Sequence, residues 1–238
     1  MEALESNKIW RKRFPSQRCL AAIPVFDVEH AVTEVHRVVK KGLKGVLIPS
    51  WPPGEPYHDQ RWEPMWNAFE ETGLPVSIHL GAKPHWARLD RLAPAYLSVS
   101  KMFIAEPLAI LMFGGVIPNH PGVRFVAAET GIGWMPYFKE FMDNVYTRHR
   151  YWTKLDMEEK PSAYFERQVY GTFQEDKAGL FARHLIGIDN IMWASDYPHS
   201  DTTWPNSRQY IDDHFGGIPV EERHKIVAGN AARLYGLN

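Results

Sequence analysis

Short runs that are apolar at nearly every position alternate along the chain with longer stretches whose apolar residues recur every three or four positions. The short runs predict six strands: residues 21–25, 45–49, 75–79, 123–128, 168–173 and 190–195. The longer stretches predict helices. Asp27 is placed to cap the first, whose apolar side is Val32, Val35, Val38 and Val39, with Gly42 at its exit. Trp62, Met65, Trp66 and Phe69 mark a second helix that Gly73 closes. Leu108 to Phe113 reads as a buried helix, and Trp134, Phe138, Phe141 and Val145 mark another. A last helix runs from about Val220 to Val227, with Leu234 packed behind it. Strands apolar on both faces and separated by helices imply a parallel α/β sheet. Long connections are expected after His79 (residues 80–106) and after Asp196 (residues 197–206). In parallel barrels such connections form the active-site face. No G-x-G-x-x-G turn follows the first strand, which counts against dinucleotide binding.

Composition narrows the function. The chain of 238 residues carries a net charge of −1, so nothing electrostatic favours nucleic acid or an anionic membrane. The longest apolar run, Leu108 to Phe113, is far short of a membrane span. Residues 1–14 lack a signal-peptide core. One cysteine, Cys19, cannot form an internal disulfide, which points to a reducing compartment and a cytoplasmic protein. It also means that any metal must be held by His, Asp or Glu. With no linker or low-complexity stretch, the chain reads as one domain over 1–238, residues 1–17 being a remnant helix or tail.

Three ionisable residues end predicted strands: His79, Glu129 and Asp196. A lone histidine is more often a satisfied core residue than a ligand. An aspartate after Ile191-Met192-Trp193-Ala194-Ser195 is costly to bury unless it is paired, hydrogen-bonded or bound to metal. Tyr197 and His199 follow it, and His199 is placed either to orient substrate or to sit at the surface. Glu129 precedes Thr130-Gly131-Ile132-Gly133, where glycines allow a tight turn into the next helix, and either acts in the site or pairs with a strand-end cation. Glu175 and Asp176 read as helix-start charges. Trp51, Trp86, Trp134, Tyr197 and Trp204 form either an aromatic substrate wall or ordinary packing, and His58 lies in the loop after the second strand. There is no G-x-S-x-G elbow and no Walker-type loop.

Ala128-Glu129-Thr130-Gly131-Ile132-Gly133-Trp134-Met135-Pro136-Tyr137, Trp193 to His199, and Lys225 to Tyr235 together resemble the amidohydrolase superfamily, in its aminocarboxymuconate-semialdehyde decarboxylase-like branch. That resemblance implies a (β/α)8 TIM-type barrel and a divalent metal, usually zinc. It gives His79 the role of the fifth-strand metal ligand and Asp196 that of the eighth-strand ligand. From their positions at the strand ends, Asp196, Glu129 and His199 are the candidate catalytic set, and Trp51, Trp134 and Tyr197 the candidate substrate contacts. Two departures stand out. No His-x-His or Glu-x-His pair lies near the N-terminus, so about six of eight strand–helix units are expected, with strands one and two missing and the metal site incomplete. The sixth-strand histidine is Glu129 here.

The implied activity is a metal-dependent hydrolase or nonoxidative decarboxylase acting on a small carboxylated or carbonyl-containing molecule. The rival reading is a truncated, inactive barrel serving as a structural or interaction module. An open seam between outer strands leads us to expect a homo-oligomer, most simply a dimer.

Overall fold

The computed structural model describes residues 19–79 and 93–237. Its six strands are β1 (Ala21–Ala22), β2 (Val46–Pro49), β3 (Val76–His79), β4 (Phe125–Ala128), β5 (Val169–Phe173) and β6 (Ile191–Trp193). Each lies within a run predicted from the sequence. They form one sheet in the order β1-β2-β3-β4-β5-β6, and every neighbouring pair is parallel. Sequential parallel pairing with helical crossovers is the (β/α) barrel arrangement. Among the described residues β1 and β6 do not pair, so the barrel is open between them.

Alternation along the strands defines two faces. Val46 and Ile48, Phe125 and Ala127, and Val169, Gly171 and Phe173 are buried against the outer helices. Trp66 packs on Phe125 with ring centroids 5.7 Å apart, and Phe173 stacks on Phe215 at 6.4 Å. The alternate residues Leu47, Pro49, Tyr170 and Thr172 face the barrel interior and are less covered. The interior face therefore stays open enough for chemistry, while the outer face supplies the hydrophobic core.

Local signals explain the helix ends. The Asp27 side chain accepts the His30 N–H at 2.8 Å and caps the helix Val28–Lys40. Gly42 (φ 72°) turns the chain out of it. The helix Glu63–Thr72 stops at Gly73 in the left-handed region (φ 63°). Val39 is 40% exposed, so the buried side of the first helix is Ala31, Val35 and Val38 instead.

Three further expectations are corrected. The helix Met135–Thr153 buries Met142 and Tyr146, while Phe141 lies outside, stacked on the exposed Tyr137 at 5.6 Å. Aromatic residues occur all round this helix, so their spacing alone did not identify its core side. The connection after β3 is not an irregular loop to residue 106. Helical turns run through Ala93–Ser100, Lys101–Ile104 and Ala105–Phe113. This stretch of 21 residues is long and apolar enough to cross a membrane by length and composition. Ile104, Leu108, Leu111 and Met112 are nevertheless buried against the core. The C-terminal helix comes in three pieces, Val220–His224, a π-helical turn Lys225–Gly229, and Asn230–Tyr235, and Leu234 is half-buried.

Candidate functional site

All six strands point their carboxyl ends the same way, so the residues just after them share one mouth. His79 is the last residue of β3, Glu129 follows β4, Gln174 follows β5, and Asp196 lies three residues beyond β6. Glu129 and Asp196 both adopt left-handed backbone, with φ of 63° and 59°. That region is unfavourable for residues with a Cβ and persists only where surrounding contacts impose it.

Those contacts are visible. The Glu129 N–H donates to Thr172 Oγ1 at 2.7 Å, tying the end of β4 to β5. Three residues on, the Ile132 and Gly133 N–H groups both donate to Asp176 Oδ2, at 2.6 and 2.7 Å. Asp176 Oδ1 accepts the Gly179 N–H at 2.7 Å and caps the next helix, Lys177–Phe181. One carboxylate thus clamps the turn after Glu129 to the start of the helix after β5. Gly133 fits because a Cβ there would come within 2.9 Å of Asp176 Oδ1. On the other side, the Asp196 carbonyl accepts the His199 N–H at 2.8 Å, and the Ser195 carbonyl accepts Thr202 Oγ1 and Thr203 N–H. These bonds fold 196–203 into a compact turn that returns His199 to Asp196.

The side chains converge. His79 Nε2 lies 2.8 Å from Glu129 Oε2. Donor atoms of Glu129, Asp196 and His199 all lie within 4.8 Å of one another. His199 Nδ1 is 3.1 Å from Asp196 Oδ2 and accepts the Asp201 N–H at 3.4 Å. A ring nitrogen that accepts has no proton to donate, so Asp196 Oδ2 is buried without a hydrogen-bond donor. A buried carboxylate oxygen in that state is stabilised by a cation. Two carboxylates, an imidazole within the cluster and a second imidazole on its edge suit a divalent ion. Of the two ligands expected, Asp196 is in this cluster, together with Glu129 and His199, while His79 lies outside it and adjoins through Glu129.

The other expected site residues divide. Trp134 donates its indole N–H to the Thr130 and Gly131 carbonyls, both at 3.1 Å, and packs on Phe138 at 5.4 Å. It thereby supports the turn that carries Glu129. Tyr197 and Trp204 are exposed, with ring centroids 5.1 Å apart beside Asp196 and His199. Trp51 is half-buried just beyond β2, next to Ser50, whose hydroxyl donates to the His79 carbonyl at 3.0 Å. His58 is exposed, and Trp86 lies outside the described residues. Sequence reasoning missed Ser50, Thr172 and Gln174, which are short polar residues at strand ends with no distinguishing spacing. It read Asp176 as a helix-start charge, which is correct, but not its clamp on the neighbouring turn.

A family model described as amidohydrolase matches residues 5–237. Among curated proteins, the gamma-resorcylate decarboxylase of Polaromonas sp. is 26% identical over 240 residues, covering 93% of this chain and 71% of that protein. Among solved structures, 5-carboxyvanillate decarboxylase from Sphingomonas paucimobilis superposes with a TM-score of 0.83 at 22% identity, over 96% of this chain and 69% of that one. A dihydroxybenzoic acid decarboxylase from Polaromonas sp., with bound manganese and 2-nitroresorcinol, gives 0.80 at 22% identity, over 100% and 74%. At these identities the superpositions show the fold.

Proposed function

The chain belongs to the amidohydrolase family, and from that premise we propose that it is a metal-dependent decarboxylase of a small aromatic carboxylate. The observation that carries the proposal is the convergence of Glu129, Asp196 and His199, with Asp196 Oδ2 buried and without a hydrogen-bond donor. A curated relative of similar sequence is a gamma-resorcylate decarboxylase, which supports the same reading.

Glu129, Asp196 and His199 would hold the ion, with His79 adjoining through Glu129. The donor set admits zinc, the expectation from the sequence, and equally manganese, which the dihydroxybenzoic acid decarboxylase structure contains. When bound, such an ion acts as a Lewis acid that fixes and polarises an oxygen-bearing substrate. The chain's own residues do the rest. The exposed, mutually tilted rings of Tyr197 and Trp204 offer an apolar surface beside the cluster, and Trp51 lies just beyond β2. Trp134 keeps the Glu129 turn in place. The Asp196 carboxyl oxygen that the ion would not engage is the atom placed to hold a proton and pass it to the ring carbon that bears the carboxylate. The ring-to-carboxylate bond then breaks, its electron pair restores the aromatic ring, and CO2 leaves. His199 Nδ1, 3.1 Å from Asp196 Oδ2, lies beside the route by which Asp196 regains a proton from water. The exposed free Cys19 accords with a cytoplasmic setting.

The test is turnover of 2,6-dihydroxybenzoate, the ligand named for a related decarboxylase structure, in D2O with zinc- and manganese-loaded protein. The reading expects CO2 and resorcinol carrying deuterium where the carboxylate stood, lost in Asp196→Asn. Hydrolysis of an ester or amide panel with no CO2 from any aromatic acid would move the protein to the hydrolases of its family.

A further inference from the structure

We propose that Lys101, held by Gln174, is the cation that anchors an anionic group of the substrate at this mouth. The inference rests on the decarboxylase reading and names a recognition element for it.

Lys101 opens the helical turn Lys101–Ile104, in the helical stretch that returns after β3. Its Nζ donates to Gln174 Oε1 at 3.3 Å. Gln174 is 4% exposed and directly follows β5. Continuing the alternation of that strand puts Gln174 on the side of Tyr170 and Thr172, the interior face. Thr172 is the residue that receives the Glu129 N–H. β5 itself lies between β4, which delivers Glu129, and β6, which delivers Asp196. Lys101 therefore reaches the mouth at the strand flanked by both carboxylates.

The electrostatics make this placement matter. Glu129 and Asp196 bring two negative charges, which the divalent ion would offset, and an aromatic acid brings a further one. A fixed ammonium offsets that further charge and gives the acid a direction. Lys101 has donors to spare. Among the described residues its one bond goes to a neutral amide at 3.3 Å, against about 2.7–2.9 Å for a charged donor on a carboxylate. Among the described residues no carboxylate lies within ion-pairing distance of it. An ammonium has three donors, and among the described residues two of them stay available. Gln174 sets the position of the charge without neutralising it. Anchoring Ile104, Leu108 and Leu111 in the core fixes the backbone from which Lys101 reaches.

The experiment compares two probes by titration calorimetry on the metal-loaded protein: 2,6-dihydroxybenzoate, which carries a carboxylate, and resorcinol, which does not. Lys101→Met is expected to weaken binding of the acid by at least about tenfold, since one charge-assisted hydrogen bond is lost. Resorcinol binding and the melting temperature should stay unchanged, and Lys101→Arg should recover most of the affinity. Lys101→Gln serves if the Met variant fails to fold. Equal weakening of both probes, or unchanged affinity for the acid, overturns the anchor. Wild-type protein that binds the acid but releases no CO2 refutes the decarboxylase reading alone, and the variants still decide the anchor. Wild-type protein that binds neither probe overturns both.

Discussion

Removing the Asp176 carboxylate should loosen the active-site mouth from a distance. Asp176 accepts three backbone N–H groups at 2.6–2.7 Å, two from the turn after Glu129 and one from its own helix. A hydrogen bond to a charged group contributes about 1.5–3 kcal/mol, and a lost helix cap alone costs about 1 kcal/mol. The three bonds share one carboxylate and are not additive, so Asp176→Ala should cost about 3–4 kcal/mol in all. For a chain of this length that corresponds to a fall in Tm of roughly 6–16 °C. Asp176→Asn keeps one acceptor oxygen and can serve the cap or the turn but not both, so it should fall between. Because Glu129 lies three residues before Ile132, the Ala variant should also lose about tenfold or more in metal affinity, the usual effect of freeing a ligand's support. Urea denaturation monitored by circular dichroism gives the first quantity and metal-competition titration the second. A loss below about 1 kcal/mol, with metal affinity unchanged, would refute the idea that Asp176 holds the turn.

Gly171→Ala should destabilise by about 1–3 kcal/mol in the same denaturation assay, because overpacking costs that much. A Cβ there would lie 2.7 Å from Met135 Sδ and 2.9 Å from Ile132 Cγ2. Asp189 gives a pH signature. A hydrogen bond from Lys225, with Arg233 nearby, holds its carboxyl below the usual range. A depressed folded-state pKa gives stability that is present above about pH 4 and is lost as pH falls through the lower folded value. The side chain is half exposed, so the gain should stay under about 1 kcal/mol. The Tm difference between wild type and Asp189→Asn should accordingly be small at pH 6, shrink towards pH 2, and fade in high salt.

Much of the architecture was legible because its cause is local. Runs such as Val46–Pro49 and Phe125–Ala128 are apolar throughout because they lie in a parallel sheet under helices. Gly73 ends its helix because only a residue without Cβ enters left-handed backbone freely. The helix 93–113 was legible only in part, since its apolar residues lie on all sides and Lys101 and Glu106 interrupt the run. His79, Glu129 and Asp196 were found as ionisable groups closing apolar strands. What sequence does not carry is their mutual geometry. The left-handed backbone at Glu129 and Asp196 is imposed by Thr172, Asp176 and the 196–203 turn, through contacts up to 44 residues apart. Nothing in the spacing of Lys101 and Gln174, 73 residues apart, marks them as partners.

Glu129, Asp196 and His199, with His79 adjoining, are proposed to form a divalent-metal site. The most direct test is metal content by plasma mass spectrometry after refolding with zinc or manganese and exhaustive dialysis, for wild type and for Glu129→Gln/Asp196→Asn. Stoichiometric metal is expected in the wild type and none in a double variant that keeps its circular dichroism spectrum. A wild type that holds no metal, or a double variant that retains a full complement, would contradict it.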